Sequence, residues 1–221
     1  PGDFMRSVRT LMTGTVFSQV LLIAVSPILT RLYSPDDFGK LAVFLAISAI
    51  VGVFSTLRYH LAFVLASDEA EANSLFDLCL ALTLISTAIV STAVVGYLTI
   101  MMALNQPMQL GWLLLLLPVS VLLGGVNVSW SNWCNRRKCY TAIARGAMLQ
   151  SSTASTINLT AGFFHPSTLA LILGALISQA TNIWALGAGL RRSGSELKLV
   201  QRRLFSSTRE QMYQVAHKFR N

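Results

Sequence analysis

The chain has 221 residues, 53% of them hydrophobic and only 12% charged, with a net charge of +8. A soluble domain carries about 25% charged residues, so half that fraction leaves too little charge to cover a water-exposed surface. The positive balance does not indicate nucleic acid, because the basic residues flank long apolar runs instead of forming a basic face with interleaved aromatics.

A helix needs about 20 apolar residues to cross roughly 30 Å of hydrocarbon. Six segments qualify: 8–32, 36–57, 72–104, 110–133, 141–164 and 167–190. Arg6 and Arg9 before the first run imitate a signal peptide, but no small-residue cleavage site follows, so the segment reads as an uncleaved span. Pro27 in the first span and Pro118 in the fourth are expected to bend their helices. The second span opens on Ser34-Pro35-Asp36-Asp37, where Ser34 suits the cap, Pro35 the first helical position and Asp37 the return arm of a capping box. The expected fold is an all-α integral membrane protein: a six-transmembrane-helix bundle over residues 1–193. A basic, partly amphipathic segment, 194–221, follows as a cytoplasmic linker.

Lysine and arginine orient the spans. With six crossings, one side receives fifteen basic residues, among them Arg6, Arg9, Arg58, Arg136, Arg137, Lys138, Arg145 and Arg191, while the other has only Arg31 and Lys40. That asymmetry places both termini in the cytoplasm.

Enzyme signatures are missing. His60, His165 and His217 are isolated, Cys79, Cys134 and Cys139 form no even disulfide framework, and no phosphate loop, nucleophile elbow or zinc motif occurs. No catalytic residue, metal or cofactor is expected. Asp36 and Asp37 are adjacent carboxylates, but both sit in a capping context and diverge by about 100° on a helix. The sequons at Asn127 and Asn158 fall inside spans and are not expected to be glycosylated.

The informative feature is the placement of polar groups within the spans. In the fifth, Ala147, Gln150, Ser151, Ala154, Ser155, Asn158, Ala161 and Gly162 share one face; the sixth repeats the theme with Gly174, Ser178, Asn182 and Gly189. Such faces suit either tight helix packing or a water-filled cavity, which makes Gln150, Asn158 and Asn182 the cavity-lining candidates. Arg31 after the first span and Arg58 after the second are either interfacial anchors or a fork that grips phosphate.

The stretch Ser26-Pro27-Ile28-Leu29-Thr30-Arg31-Leu32-Tyr33-Ser34-Pro35-Asp36-Asp37-Phe38-Gly39 closely resembles the bacterial polysaccharide-export and O-antigen flippases of the multidrug/oligosaccharidyl-lipid/polysaccharide exporter superfamily. The resemblance continues through Thr56-Leu57-Arg58-Tyr59-His60-Leu61-Ala62, Asp68-Glu69-Ala70-Glu71-Ala72 and Asn132-Trp133-Cys134-Asn135-Arg136-Arg137-Lys138. It implies two pseudo-symmetric six-helix bundles facing a central cavity with alternating access, of which this chain supplies the first and its partner is the second bundle. It further implies a protein of the bacterial inner membrane that moves undecaprenyl-diphosphate-linked sugar units between leaflets. Arg31 and Arg58 would then meet the diphosphate. Two other readings compete: a cation-coupled multidrug antiporter, for which Asp77 is the available intramembrane carboxylate, and an intramembrane transferase, for which no convergent acidic ligands are found.

Overall fold

A computed structural model describes residues 2–55, 69–104 and 111–192. Arg58 and the segment 194–221 lie outside these described residues. The described residues form six α-helices and no strand: α1 (Gly2–Leu32), α2 (Pro35–Ser55), α3 (Glu69–Ala103), α4 (Leu117–Arg136), α5 (Tyr140–Phe164) and α6 (Thr168–Arg192). A 3-10 segment, Gly111–Leu116, leads directly into α4.

Pro27 lies inside α1 without ending it. Pro118, expected within a helix, instead stands in the first turn of α4, where the 3-10 segment hands over to α-helix. A proline there loses no intrahelical bond, because the first N–H groups of a helix have no internal acceptor.

Among the described residues, four stretches are long and apolar enough to cross a membrane: Arg9–Leu32, Ala72–Ala103, Gly111–Arg136 and Thr168–Arg191. α2 and α5 are not among them. α2 begins with Asp36, Asp37 and Lys40, and α5 is diluted by Arg145, Gln150 and a run of serines and threonines. The six helices therefore match the six expected segments in order, but not in uniform apolarity.

Packing explains how a polar helix is accommodated. The most extensive contacts join α5 to α6 and α1 to α5, followed by α3 with α4 and α4 with α6. Gly14 of α1 lies against Ala144 of α5, and eighteen residues further along both helices Leu32 and Tyr33 lie against Gly162. A constant offset over about 27 Å of rise means that α1 and α5 run parallel. Between α5 and α6 the order reverses: Ala142 meets Gly189, Gly146 meets Asn182 and Asn158 meets Gly174. α3 and α4 are also antiparallel, with Thr83 against Gly125 and Phe76 beside Trp133. Small residues at each crossing let backbones approach closely, the main source of helix association in lipid.

Two apolar clusters close the ends of the bundle. One gathers Leu75, Phe76 and Cys79 of α3, Trp133 and Cys134 of α4, and Leu186 and Leu190 of α6. The other joins Phe44 of α2, Val94 and Leu98 of α3, Leu117 of α4, and Ile172 and Leu176 of α6. Between them lies a layer of small and polar side chains, including the fully buried Thr83 and Ser129, whose hydroxyls bond to Cys79 O and Gly125 O one turn earlier.

The α1–α5 contact is testable. A Cβ on Gly14 would stand 2.8 Å from Ala144 Cα, whereas a Cβ on Gly96 meets nothing within 4 Å. Gly14→Leu is expected to cost about 1–3 kcal/mol by overpacking and to lower the thermal midpoint of the purified protein. Gly96→Ala should leave the midpoint unchanged or raise it.

Candidate functional site

The central polar layer is built around one amide. Asn182 Nδ2 of α6 donates to Gln150 Oε1 of α5 at 2.9 Å and to Asn127 Oδ1 of α4 at 3.1 Å. Two of the sequence candidates, Gln150 and Asn182, are thus brought together, and Asn127 joins them. The third candidate, Asn158, lies elsewhere. Its backbone carbonyl accepts a hydrogen bond from the Tyr33 hydroxyl, and its Oδ1 is buried against Gly174 with no hydrogen-bond partner. The face of α5 that carries these residues is turned into the bundle: Ser151, Ser155 and Gly162 on it are buried.

Arg31 is exposed in the last turn of α1, apart from the amide layer, where its charge offsets the negative end of the helix dipole. It makes no ion pair with a carboxylate among the described residues.

Beside Arg31, the turn between α1 and α2 is fixed by a set of polar contacts. The Asp37 N–H donates to Ser34 Oγ at 3.2 Å and the Ser34 N–H donates to Asp37 Oδ2 at 3.3 Å, which is the expected capping box, and Ser34 Oγ also donates to Asp37 Oδ2 at 2.6 Å. The other carboxylate oxygen of Asp37 accepts from Thr168 Oγ1 at 2.7 Å, tying the start of α2 to the start of α6. Tyr33 is 3% exposed, packs edge-on against Phe38, and donates to Asn158 O at 2.8 Å. Burial, aided by the nearby Asp37 carboxylate, raises the Tyr33 phenol above its ordinary value, so it remains a protonated donor. The box was legible from spacing; the cross-helix arms to Thr168 and Asn158 were not, because their partners are more than 120 residues distant.

Sequence reasoning missed the polar surface of α1. Thr15, Gln19, Ser26 and Thr30 are all exposed and fall within about 60° of one another on a helix. The edge made by Gly14, Ser18 and Val25 is buried, and Phe17, Ala24 and Ile28 form an exposed apolar strip roughly opposite the polar one. Thr15 and Thr30 bond to carbonyls of their own helix, Leu11 O and Pro27 O, which makes their hydroxyls tolerable in lipid. Gln19 has no such recourse. It lies about 15 Å along the helix from Arg9, near the middle of the apolar stretch Arg9–Leu32, and makes no hydrogen bond among the described residues. An amide left unsatisfied in hydrocarbon costs roughly 2–7 kcal/mol. The signal that could have found it is the 3.6-residue period of polar positions in an otherwise apolar run. α5 has exposed polar residues as well, Thr141, Arg145, Thr156 and Thr160, with the half-buried Ser152 between them. Its one charge lies within two turns of the helix start, from where the guanidinium can reach the interface.

Helices of this length and apolarity, with no strand among the described residues and with broad exposed apolar faces, define an all-α membrane protein. Within that class, the chain belongs to the family of polysaccharide biosynthesis proteins, whose sequence profile matches residues 28–193. No curated protein and no solved structure matches the chain.

Because Asp37 caps one helix and holds another, Asp37→Ala is expected to destabilise the protein by about 1–2 kcal/mol, read as a lower thermal midpoint. Asp36→Ala removes only the exposed pair with Lys40 and should leave the midpoint in place.

Proposed function

We propose that this chain is the membrane-embedded bundle of a flippase that moves lipid-linked oligosaccharides across the bacterial inner membrane for surface polysaccharide assembly, and that it is not an enzyme. The observation that carries the reading is the family match over residues 28–193, on a chain that is an apolar helical bundle. In this reading all six helices cross the bilayer and both termini are cytoplasmic. Two features support six crossings. Helix directions alternate as sequential crossings require, with α1 parallel to α5 and α6 opposed to it. The buried polar face of α5 is covered by α1 and α6, so α5 does not need the apolarity of a lipid-facing helix. The division of fifteen basic residues against two supports the orientation.

The substrate in this reading is an undecaprenyl diphosphate carrying a sugar unit. Its diphosphate meets Arg31 and Arg58 and its lipid tail stays in the bilayer, while a second transmembrane bundle forms the opposite wall of the cavity. A cation-coupled antiporter is less well supported. Among the described residues the apolar stretches contain a single carboxylate, Asp77, and it lies in the third turn of α3, close to the end of the bundle.

The test is complementation. The complete protein is expected to restore the surface-polysaccharide ladder in a strain lacking its own flippase but supplied with the matching sugar pathway. Arg31→Glu should reduce that ladder roughly tenfold or more, the scale of a lost charge-assisted hydrogen bond. Normal export by Arg31→Glu would remove Arg31 from the site, and no export by the unsubstituted protein, once present in the membrane, would overturn the flippase reading.

A further inference from the structure

We infer that the polar strip of α1, Thr15, Gln19, Ser26 and Thr30, faces a water-filled path and hydrogen-bonds the sugar portion of the transported lipid, with Gln19 as the residue that discriminates among sugars. The assignment to sugar rests on the flippase reading; the water-filled path does not. Gln19 precedes the residues matched by the family profile, so the inference comes from the helix itself.

Three observations carry it. First, Thr15, Gln19, Ser26 and Thr30 gather on one exposed flank of α1, interspersed with the exposed Met12, Leu22 and Ile23, whereas Phe17, Ala24 and Ile28 lie on the other flank. Lipid accounts for the apolar side chains of both flanks but not for Gln19. Second, Gln19 stands at mid-depth, too far from either end of the helix for its amide to reach the interface. From the constant offset between α1 and α5 it is level with Leu149, next to Gln150. At that same depth the internal amides Asn127, Gln150 and Asn182 are joined to one another, which leaves Gln19 as the exposed amide of the layer. Third, the strip bears hydroxyls and an amide but no charge. An amide presents two donors and an acceptor, which match the neighbouring hydroxyls of a sugar ring, whereas a phosphate calls for a cation. Arg31 provides a cation at the same end of α1, one residue beyond Thr30 and about 100° around the helix from it.

The experiment has two arms in the complete protein. Cys139 and any other reactive thiol are first replaced; Cys79 and Cys134 are buried. Single cysteines at positions 19, 26, 17 and 28 are then labelled in cells and in inverted membrane vesicles with a membrane-impermeant thiosulfonate. Only the thiolate reacts and it forms in water, so Gln19→Cys and Ser26→Cys should label at least about tenfold faster than Phe17→Cys and Ile28→Cys. Equal, slow labelling at all four positions would overturn the inference, since the strip would then lie in lipid or against another helix. In the second arm, Gln19→Leu and Gln19→Asn are compared in the export assay. Gln19→Leu should lose most export while keeping the wild-type thermal midpoint, and Gln19→Asn should export normally for one sugar unit and poorly for another. Unimpaired export by Gln19→Leu would overturn the sugar assignment. Absence of export from the unsubstituted protein would overturn the flippase reading and the sugar assignment together, and the labelling arm would still decide whether the strip faces water.

Discussion

In a hydrocarbon environment a helix as polar as α5 persists only if neighbours cover its polar side, and the bundle is organised around that requirement. α1 covers one flank through Gly14 against Ala144 and through Leu32 and Tyr33 against Gly162. α6 covers the other through Ala142 against Gly189, Gly146 against Asn182 and Asn158 against Gly174. The glycines matter here through distance: a Cβ on Gly146 or Gly174 would stand within about 2.2 Å of the opposing amide oxygen, a separation that nonbonded atoms do not adopt. Side-chain amides can therefore lie flat across a neighbouring backbone, and the three helices form one unit with a continuous polar interior.

The rest of the molecule attaches to that unit at its ends. The two apolar clusters join α3 and α4 to α6 at one end and α2, α3 and α4 to α6 at the other. α1 takes no part in either cluster. Its extensive contact is with α5 alone, and its link to α2 is the turn at Tyr33 and Ser34. That turn is correspondingly well fixed, by Tyr33 to α5 and by Asp37 to α6. The arrangement leaves most of the length of α1 uncovered, and for this reason the polar or apolar character of its exposed flanks bears on function in a way that the buried faces of α5 and α6 do not.

How much of this could be read from the chain depended on whether the determining interaction is local. The capping box at Ser34 and Asp37 was legible because both partners lie within four residues, and the helices were legible because span length is set by the bilayer. Pro118 lies inside the fourth apolar stretch as expected, but the change from 3-10 to α-helix beside it was not legible, because apolarity continues across that junction and nothing in the hydropathy marks it. The polar face of α5 was legible as a face, but not its surroundings. Alanine, serine and glycine satisfy a packed interface and a cavity wall equally well, and only the partner helix decides between them. Gln150, Asn158 and Asn182 were found by that route, yet Gln150 and Asn182 bond within the bundle, and Asn158 packs against α6. Gln19 was overlooked because one amide in an apolar run looks like noise until the helix is placed and its exposure is known.

On the proposed flippase reading, the distribution of polar groups suits what a large amphiphile requires of a membrane protein. Charges fixed at mid-depth would hold an anionic headgroup too strongly for release and would be costly in the empty protein. Neutral donors and acceptors at that depth can exchange water for sugar hydroxyls with little net change in energy, because each hydrogen bond lost to water is replaced by a similar one. In this chain the cationic side chains are concentrated toward the helix ends, at Arg9, Arg31, Arg136, Arg137, Arg145 and Arg191, and the middle layer carries amides and hydroxyls. A path graded in this way would attract a phosphate at either end while presenting no deep electrostatic well between them. The sugar would then meet the side chains that distinguish one unit from another at the point where the electrostatic grip is weakest, so that small differences in hydrogen bonding would decide which substrates cross.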